Sequence, residues 1–139
     1  MDAHVFTHLP MPPSAQLLGW RLLENDPEQG WARFAFEGKP EFLNPAGFIQ
    51  GGIVSAMLDD TMGPTVLLAS GGRFYSITID MHVSFLAPAR PGRLIGEGQV
   101  TQLGKSIGFV EARLIDVEGM PLARASASVR LVPAERLAQ

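Results

Sequence analysis

The sequence predicts an α+β fold in which one long, mostly apolar helix is wrapped by a curved antiparallel sheet of about six strands. Three observations predict it. Gly52 to about Ser70 is long, apolar and free of β-branched runs, as in a helix buried on most faces. In Ile77, Ile79, Met81, Val83 and Phe85 every second residue is apolar, with Thr78, Asp80, His82 and Ser84 between them, the alternation of a half-buried strand. Three more strand-like runs follow, Arg93 to Gln102, Ile107 to Val117 and Leu122 to Val132, joined by connectors short enough for hairpins.

The remaining elements fit that order. Leu17 to Asn25 and Trp31 to Glu37 flank DPEQG, whose proline and glycine suit a turn between two strands. KPEFLNPAGFIQ, with two prolines and a glycine, reads as a loop into the helix. Pro64 removes an N–H inside the helix and predicts a kink or tightened turn about four residues earlier; Gly71 and Gly72 stop it. Residues 1–15 are expected to be an irregular arm, 16–133 one domain and 134–139 a tail.

Composition narrows the function. A chain of 139 residues with 46% hydrophobic residues and a formal charge of -3 fits one globular domain, and nucleic acid is an unexpected partner. There is no cysteine, which excludes disulfides, thiolate catalysis and thiolate-bound metals. His4 and His8 stand one helical turn apart, but in a proline-rich arm with no third ligand, so no metal or other cofactor is expected. The same arm lacks the basic start and apolar core of a secretory signal. Uncharged stretches such as Thr61 to Gly72, broken by Gly63 and Pro64, fall short of the ~20 apolar residues that cross a bilayer. A cytoplasmic protein without a membrane span is the expectation.

Two motifs are decoys. Gly104-Lys105-Ser106-Ile107-Gly108 matches the G-x-S-x-G of serine hydrolases, but it lies between two strands and no histidine follows it. Read as a phosphate-binding loop it lacks the required first glycine, since residue 99 is Gln. His82 reads as a surface or interface histidine.

One cluster carries chemistry. Asn44, Gly47, Gln50, Gly51, Gly52 and Asp59 occupy the loop and first turns of the helix. N–H groups at a helix start lack intrahelical acceptors, the helix dipole there favours negative charge, and glycine lets a ligand carbonyl come close. A tight turn packed on the sheet would explain the glycines equally well. Asp59 demands more, because a carboxylate in a mostly buried helix is costly unless paired or neutral. Asp59 and Asp60 point about 100° apart, so one is expected to work while the other is solvated, paired or structural.

With N-x-x-x-x-x-[HQ]-G-G, an aspartate seven residues on, and then SITIDMHVSFLAPA, the chain resembles the hotdog-fold acyl-CoA thioesterases of the phenylacetate-pathway (PaaI-like) branch. The resemblance runs from about Gly19 to Val132. It implies that the Gly51 N–H donates to the thioester oxygen, Gln50 helps place that carbonyl, and Asn44 orients the attacking water. It further implies that Asp59 is general base or nucleophile and that Thr78 steadies the water. It implies a homodimer joined sheet edge to sheet edge, with each site shared between subunits; a dimer of dimers also fits. Many relatives have histidine where Gln50 stands, and glutamine donates a hydrogen bond without releasing a proton.

The acyl tail is then expected beside the helix, near Gly52, Met57, Met62 and Phe85. Arg90, Arg93 and Lys105 are the candidates to meet the phosphates of CoA. A silent acyl-CoA binder and a hydroxyacyl-thioester dehydratase are the alternatives.

Overall fold

The computed structural model describes Phe6 and residues 10–138. His4 and His8 lie outside the described residues. A short helix α1 (Pro13–Leu18) precedes strands β1 (Arg21–Asp26) and β2 (Trp31–Gly38). The long helix α2 (Gly51–Ala69) follows, and then β3 (Phe74–Phe85), β4 (Gly92–Leu103), β5 (Ile107–Asp116) and β6 (Pro121–Pro133). The strands form one antiparallel sheet in the order β1-β2-β4-β5-β6-β3, which leaves β3 at an open edge.

Two boundaries differ from the sequence reading. Residues 13 to 18 are helical, so the expected irregular arm ends earlier and Leu17 belongs to α1 rather than to the first strand. Pro12 and Pro13 favour that start, because the first helical N–H groups need no intrahelical acceptor, and Gly19 closes the helix with φ +69°. Ala134–Ala138, within the expected tail, forms a 3-10 turn.

Helix α2 runs continuously through Pro64. A proline leaves the carbonyl four residues earlier without its donor, and here the Trp20 indole Nε1–H donates to the Asp60 carbonyl at 3.1 Å. Trp20 also stacks on Phe34, with centroids 5.3 Å apart. The missing helical bond is therefore replaced from the opening segment of the chain. Gly71 and Gly72, with φ of +65° and +84°, end the helix as expected.

The helix sits close to β4 because two side chains are absent there. A Cβ on Gly96 would collide with Thr61, and one on Gly98 with Thr65. Both threonines are fully buried and donate their hydroxyls back to the helix, Thr61 to the Met57 carbonyl at 2.8 Å and Thr65 to the Thr61 carbonyl at 2.7 Å. Around this seat Phe34, Phe36, Met57, Leu58, Met62, Leu68, Leu94 and Leu114 form the core.

The alternation on β3 is not uniform. A bulge between Thr78 and Asp80 leaves Ile79 without a cross-strand partner and moves the helix-facing set from even to odd positions. Before it Phe74, Ser76 and Thr78 face the helix; after it Met81, Val83 and Phe85 do. Ile77 and Ile79, read from sequence as the buried face, are 47% and 56% exposed. Beyond the bulge Asp80 accepts the hydroxyl and N–H of Ser128, which pins the strand to β6.

On the outer face Glu97 is buried between Arg33 and Arg113, at 2.7 and 2.6 Å. Burial pushes its carboxyl up, but the hydrogen bonds from Arg33 and Arg113 outweigh this and hold it below its ordinary value.

Two changes test the packing. Gly98→Ala should cost about 1–3 kcal/mol in denaturant unfolding, because the added methyl meets a bonded threonine; unchanged stability would mean that the helix is not held this tightly. The second concerns Asp60, whose Oδ2 is buried without a partner. Burial, and then the Asp59 charge, push its carboxyl up from 3.8 to about 6. A raised carboxyl holds its proton more firmly when folded, so the contribution of Asp60 to stability is fullest below pH 3.8 and is lost as pH rises through about 6. Asp60→Asn should remove that decline and leave the protein more stable than the parent at neutral pH; superimposable pH–stability curves would contradict it.

Candidate active site

The loop before α2 is built by one asparagine. Asn44 Oδ1 accepts the N–H groups of Ala46 and Phe48, at 3.0 and 3.1 Å, and Gly47 turns the chain with φ +87°. Asparagine bonded to the backbone just ahead is the usual reason for this residue in a turn. Its Nδ2 hydrogens have no partner among the described residues. The loop returns to the core when Ile49 donates to the Ala89 carbonyl and Gln50 to the Phe42 carbonyl, each at 2.8 Å.

Gln50 then caps the helix. Its Oε1 accepts the Ile53 N–H at 3.2 Å. The Gly51 and Gly52 N–H groups have no acceptor among the described residues, so two donors stand free where the helix dipole is positive. Gly51 is half-buried and lines an open pocket of about 400 Å³, with Asn44, Phe48, Val54, Phe85 and Leu86 among its walls. The pocket is mostly apolar, with Asn44 the one polar side chain in its lining.

Backbone conformation does not require glycine at Gly51, whose φ is negative. Packing does not either: a Cβ there would meet only the edge of the Phe85 ring at 3.4 Å, an ordinary contact. Glycine at this position keeps the approach to a free N–H clear, and the fold itself asks for no such clearance.

Asp59 lies midway along the same helix and is exposed. Thr78 Oγ1 donates to its Oδ1 at 2.7 Å. The β3 bulge produces this pairing, since without it Thr78 and Phe85 would fall on opposite faces of the strand. Asp60 turns inward instead, so the costly buried carboxyl inferred from sequence is Asp60 and not Asp59. Sequence spacing gave no sign of this division, because the docking of Trp20 and the Pro64 gap decide which face of the helix is covered.

Gly51 and Asp59 are eight residues apart on one continuous helix, about 12 Å along its axis. A single chain cannot bring both to one carbonyl group. Phe85 packs near the helix start and Thr78 near its middle, so both half-sites lie along β3, the strand at the open edge.

The other candidates divide. Phe85 lines the pocket, while Met57 and Met62 are fully buried in the core and do not line it. The Arg90 guanidinium lies over the Phe48 ring, 5.5 Å from its centroid, close to the pocket. Arg93 borders a separate groove with Trp20, Glu37 and Lys39. Lys105 lies beyond the far end of β4, roughly 30 Å of strand away from Arg93, so one chain does not gather the three cations. Sequence reading missed Phe48 and Leu86 as pocket walls; both flank motif residues and look like plain loop hydrophobes. His82, the one histidine among the described residues, is exposed on the outer face of the sheet. No group of three metal-binding side chains occurs among the described residues, and no helix there is long and apolar enough to cross a membrane.

Comparison with known proteins identifies the family and the fold. The model of the thioesterase superfamily matches residues 46–123. A candidate esterase of Saccharolobus solfataricus is 30% identical over 101 residues, 73% of this chain and 71% of the relative. The crystal structure of a phenylacetic acid degradation-related protein of Ralstonia eutropha superposes with a TM-score of 0.85 at 30% identity, over 92% of this chain and 96% of that one. A Streptococcus mutans protein solved with acetyl CoA shares the fold, with a TM-score of 0.71 at 19% identity over 82% of this chain and 89% of that one. The chain belongs to the thioesterase superfamily, with the hotdog fold and on the phenylacetate-degradation (PaaI-like) branch.

Proposed function

We propose that the protein hydrolyses acyl-CoA thioesters to free acid and CoA at sites shared between two subunits. The observation that carries this reading is the unpaired Gly51 N–H opening on an apolar pocket of about 400 Å³. The acyl group lies in the pocket with its carbonyl oxygen on the Gly51 N–H, and the Gln50 amide supplies a second donor. Asp59 of the neighbouring subunit, steadied by its own Thr78, takes a proton from water as the oxygen attacks the carbonyl carbon. Negative charge builds on the carbonyl oxygen against the helix start, where fixed donors need no rearrangement. Collapse breaks the carbon–sulfur bond, and the departing thiolate is protonated through Asp59 or solvent. Gln50 takes no part in the proton's path, so the carboxylate is the one group that carries it. Nδ2 of Asn44 is left to hold the water.

The open edge supports the shared site. Antiparallel pairing of β3 with its own copy, centred near Met81 and His82, would set Thr78 of one chain opposite Phe85 of the other. That arrangement brings the Asp59 half-site to the partner's Gly51 half-site and covers Ile77, Ile79 and Phe85, which a lone chain exposes. Arg90, beside the pocket mouth, is the cation best placed for a CoA phosphate, with Arg93 and Lys105 as more distant candidates. The acetyl CoA in the S. mutans neighbour supports this choice of thiol carrier.

Asp59→Asn tests the mechanism. Thiol release from acyl-CoA substrates should fall roughly 10²- to 10⁴-fold in kcat with KM little changed, the range for loss of a general base. A variant as fast as the parent would contradict the assignment, and a parent that binds acyl-CoA without releasing thiol would mark a binding protein instead.

A further inference from the structure

Gly51 and Gly52 are adjacent, but the structure uses them differently. Neither has a positive φ, so backbone conformation requires glycine at neither. A Cβ at Gly51 would make an ordinary contact with Phe85. A Cβ at Gly52 would stand 2.7 Å from Gln50 Oε1, with Cδ at 3.5 Å and Nε2 at 3.6 Å. That space is already filled by the Gln50 amide.

The amide lies there because Gln50 folds back over the helix start to accept the Ile53 N–H. A backbone N–H can only donate, so the atom facing it must be the carbonyl oxygen, which fixes the sense of the amide. Nε2 is then the free end, and its two hydrogens have no partner among the described residues. The folded-back side chain acts as helix cap and as oriented donor in one conformation.

We propose that Gly52 is a positioning residue for Gln50: its missing side chain is the slot that lets the Gln50 amide fold back and turn its NH₂ outward at the helix start. The proposal rests on the thioester reading above. Under it Gly52 touches no substrate and acts only by fixing the one flexible donor of the site. A methyl in the slot expels the amide, leaves the Ile53 N–H with the Gln50 backbone carbonyl at 2.9 Å as its one acceptor and leaves Nε2 without a defined direction. The Gly51 N–H is untouched, because it belongs to the backbone.

Gly52→Ala tests this, because alanine favours a helix more than glycine does. A role confined to the helix would leave activity unchanged in a protein as stable as the parent or more so. The proposal expects kcat for thiol release from acyl-CoA to fall roughly 10- to 100-fold, the scale set by misplacing one donor. KM should stay within about twofold, and the melting temperature should not drop by more than a few degrees. The decisive arm is the double variant: with the amide already removed by Gln50→Ala, adding Gly52→Ala should slow turnover no further. A crystal structure of Gly52→Ala should show Oε1 beyond hydrogen-bond distance of the Ile53 N–H, whatever its stability. Parent-like kcat in Gly52→Ala, or an equal loss with and without Gln50, would overturn the proposal. A parent that releases no thiol would overturn the thioester reading itself, an outcome read before any variant is made.

Discussion

The close seat of α2 on β4 is the constraint from which the rest of the molecule follows. Thr61 and Thr65 occupy the space that side chains at Gly96 and Gly98 would fill, so the helix cannot slide or roll without a collision. This contact is short-range and repulsive on one side, which makes it a better ruler than a diffuse apolar interface. Once the helix is fixed, its start must lie beside Phe85 and its middle beside Thr78. The separation of the two half-sites is then set by helical rise alone. An edge strand with exposed isoleucines is where the proposed second copy would join one half to the other.

The paired aspartates show how the fold assigns different fates to identical neighbours. Asp59 projects to the edge and receives a hydroxyl; Asp60 turns inward, its Oδ2 buried, and receives none. The carbonyl of Asp60 is nevertheless bonded, by the Trp20 indole, because Pro64 released it. Proline and indole thus meet at one backbone carbonyl, while the outward carboxyl stays exposed with the Thr78 hydroxyl on it.

Much of the fold was legible because it rests on local signals. The helix was expected from Gly52 to about Ser70 and runs Gly51–Ala69, since an apolar run closed by two glycines leaves little choice. β5 and β6 alternate as their sequences read. The departures have non-local causes. Leu17 looks like a strand residue, but prolines ahead of it and a glycine behind it close a single helical turn against the core. The β3 alternation looks perfect in sequence, but the bulge that divides it is set by pairing with β6. Of the candidate site, the loop and helix-start group could be read from spacing, because neighbours in sequence stay neighbours in space. The lining could not: Met57 and Met62 sit on the helix face that the sheet covers, whereas Phe48 and Leu86 reach the pocket from two separate loops.

The central claim, that neither chain holds a whole site, is tested most directly by mixing two variants that are each slow alone. Subunits carrying Asp59→Asn are exchanged with subunits carrying Gln50→Ala, and thiol release from an acyl-CoA is followed as hybrids form. A shared site predicts recovery toward about a quarter of parental activity, because half the dimers are hybrids and each hybrid rebuilds one intact site. Sites complete within a single chain would give no more than the mean of the two unmixed variants however long the subunits are mixed, and that result would contradict the account.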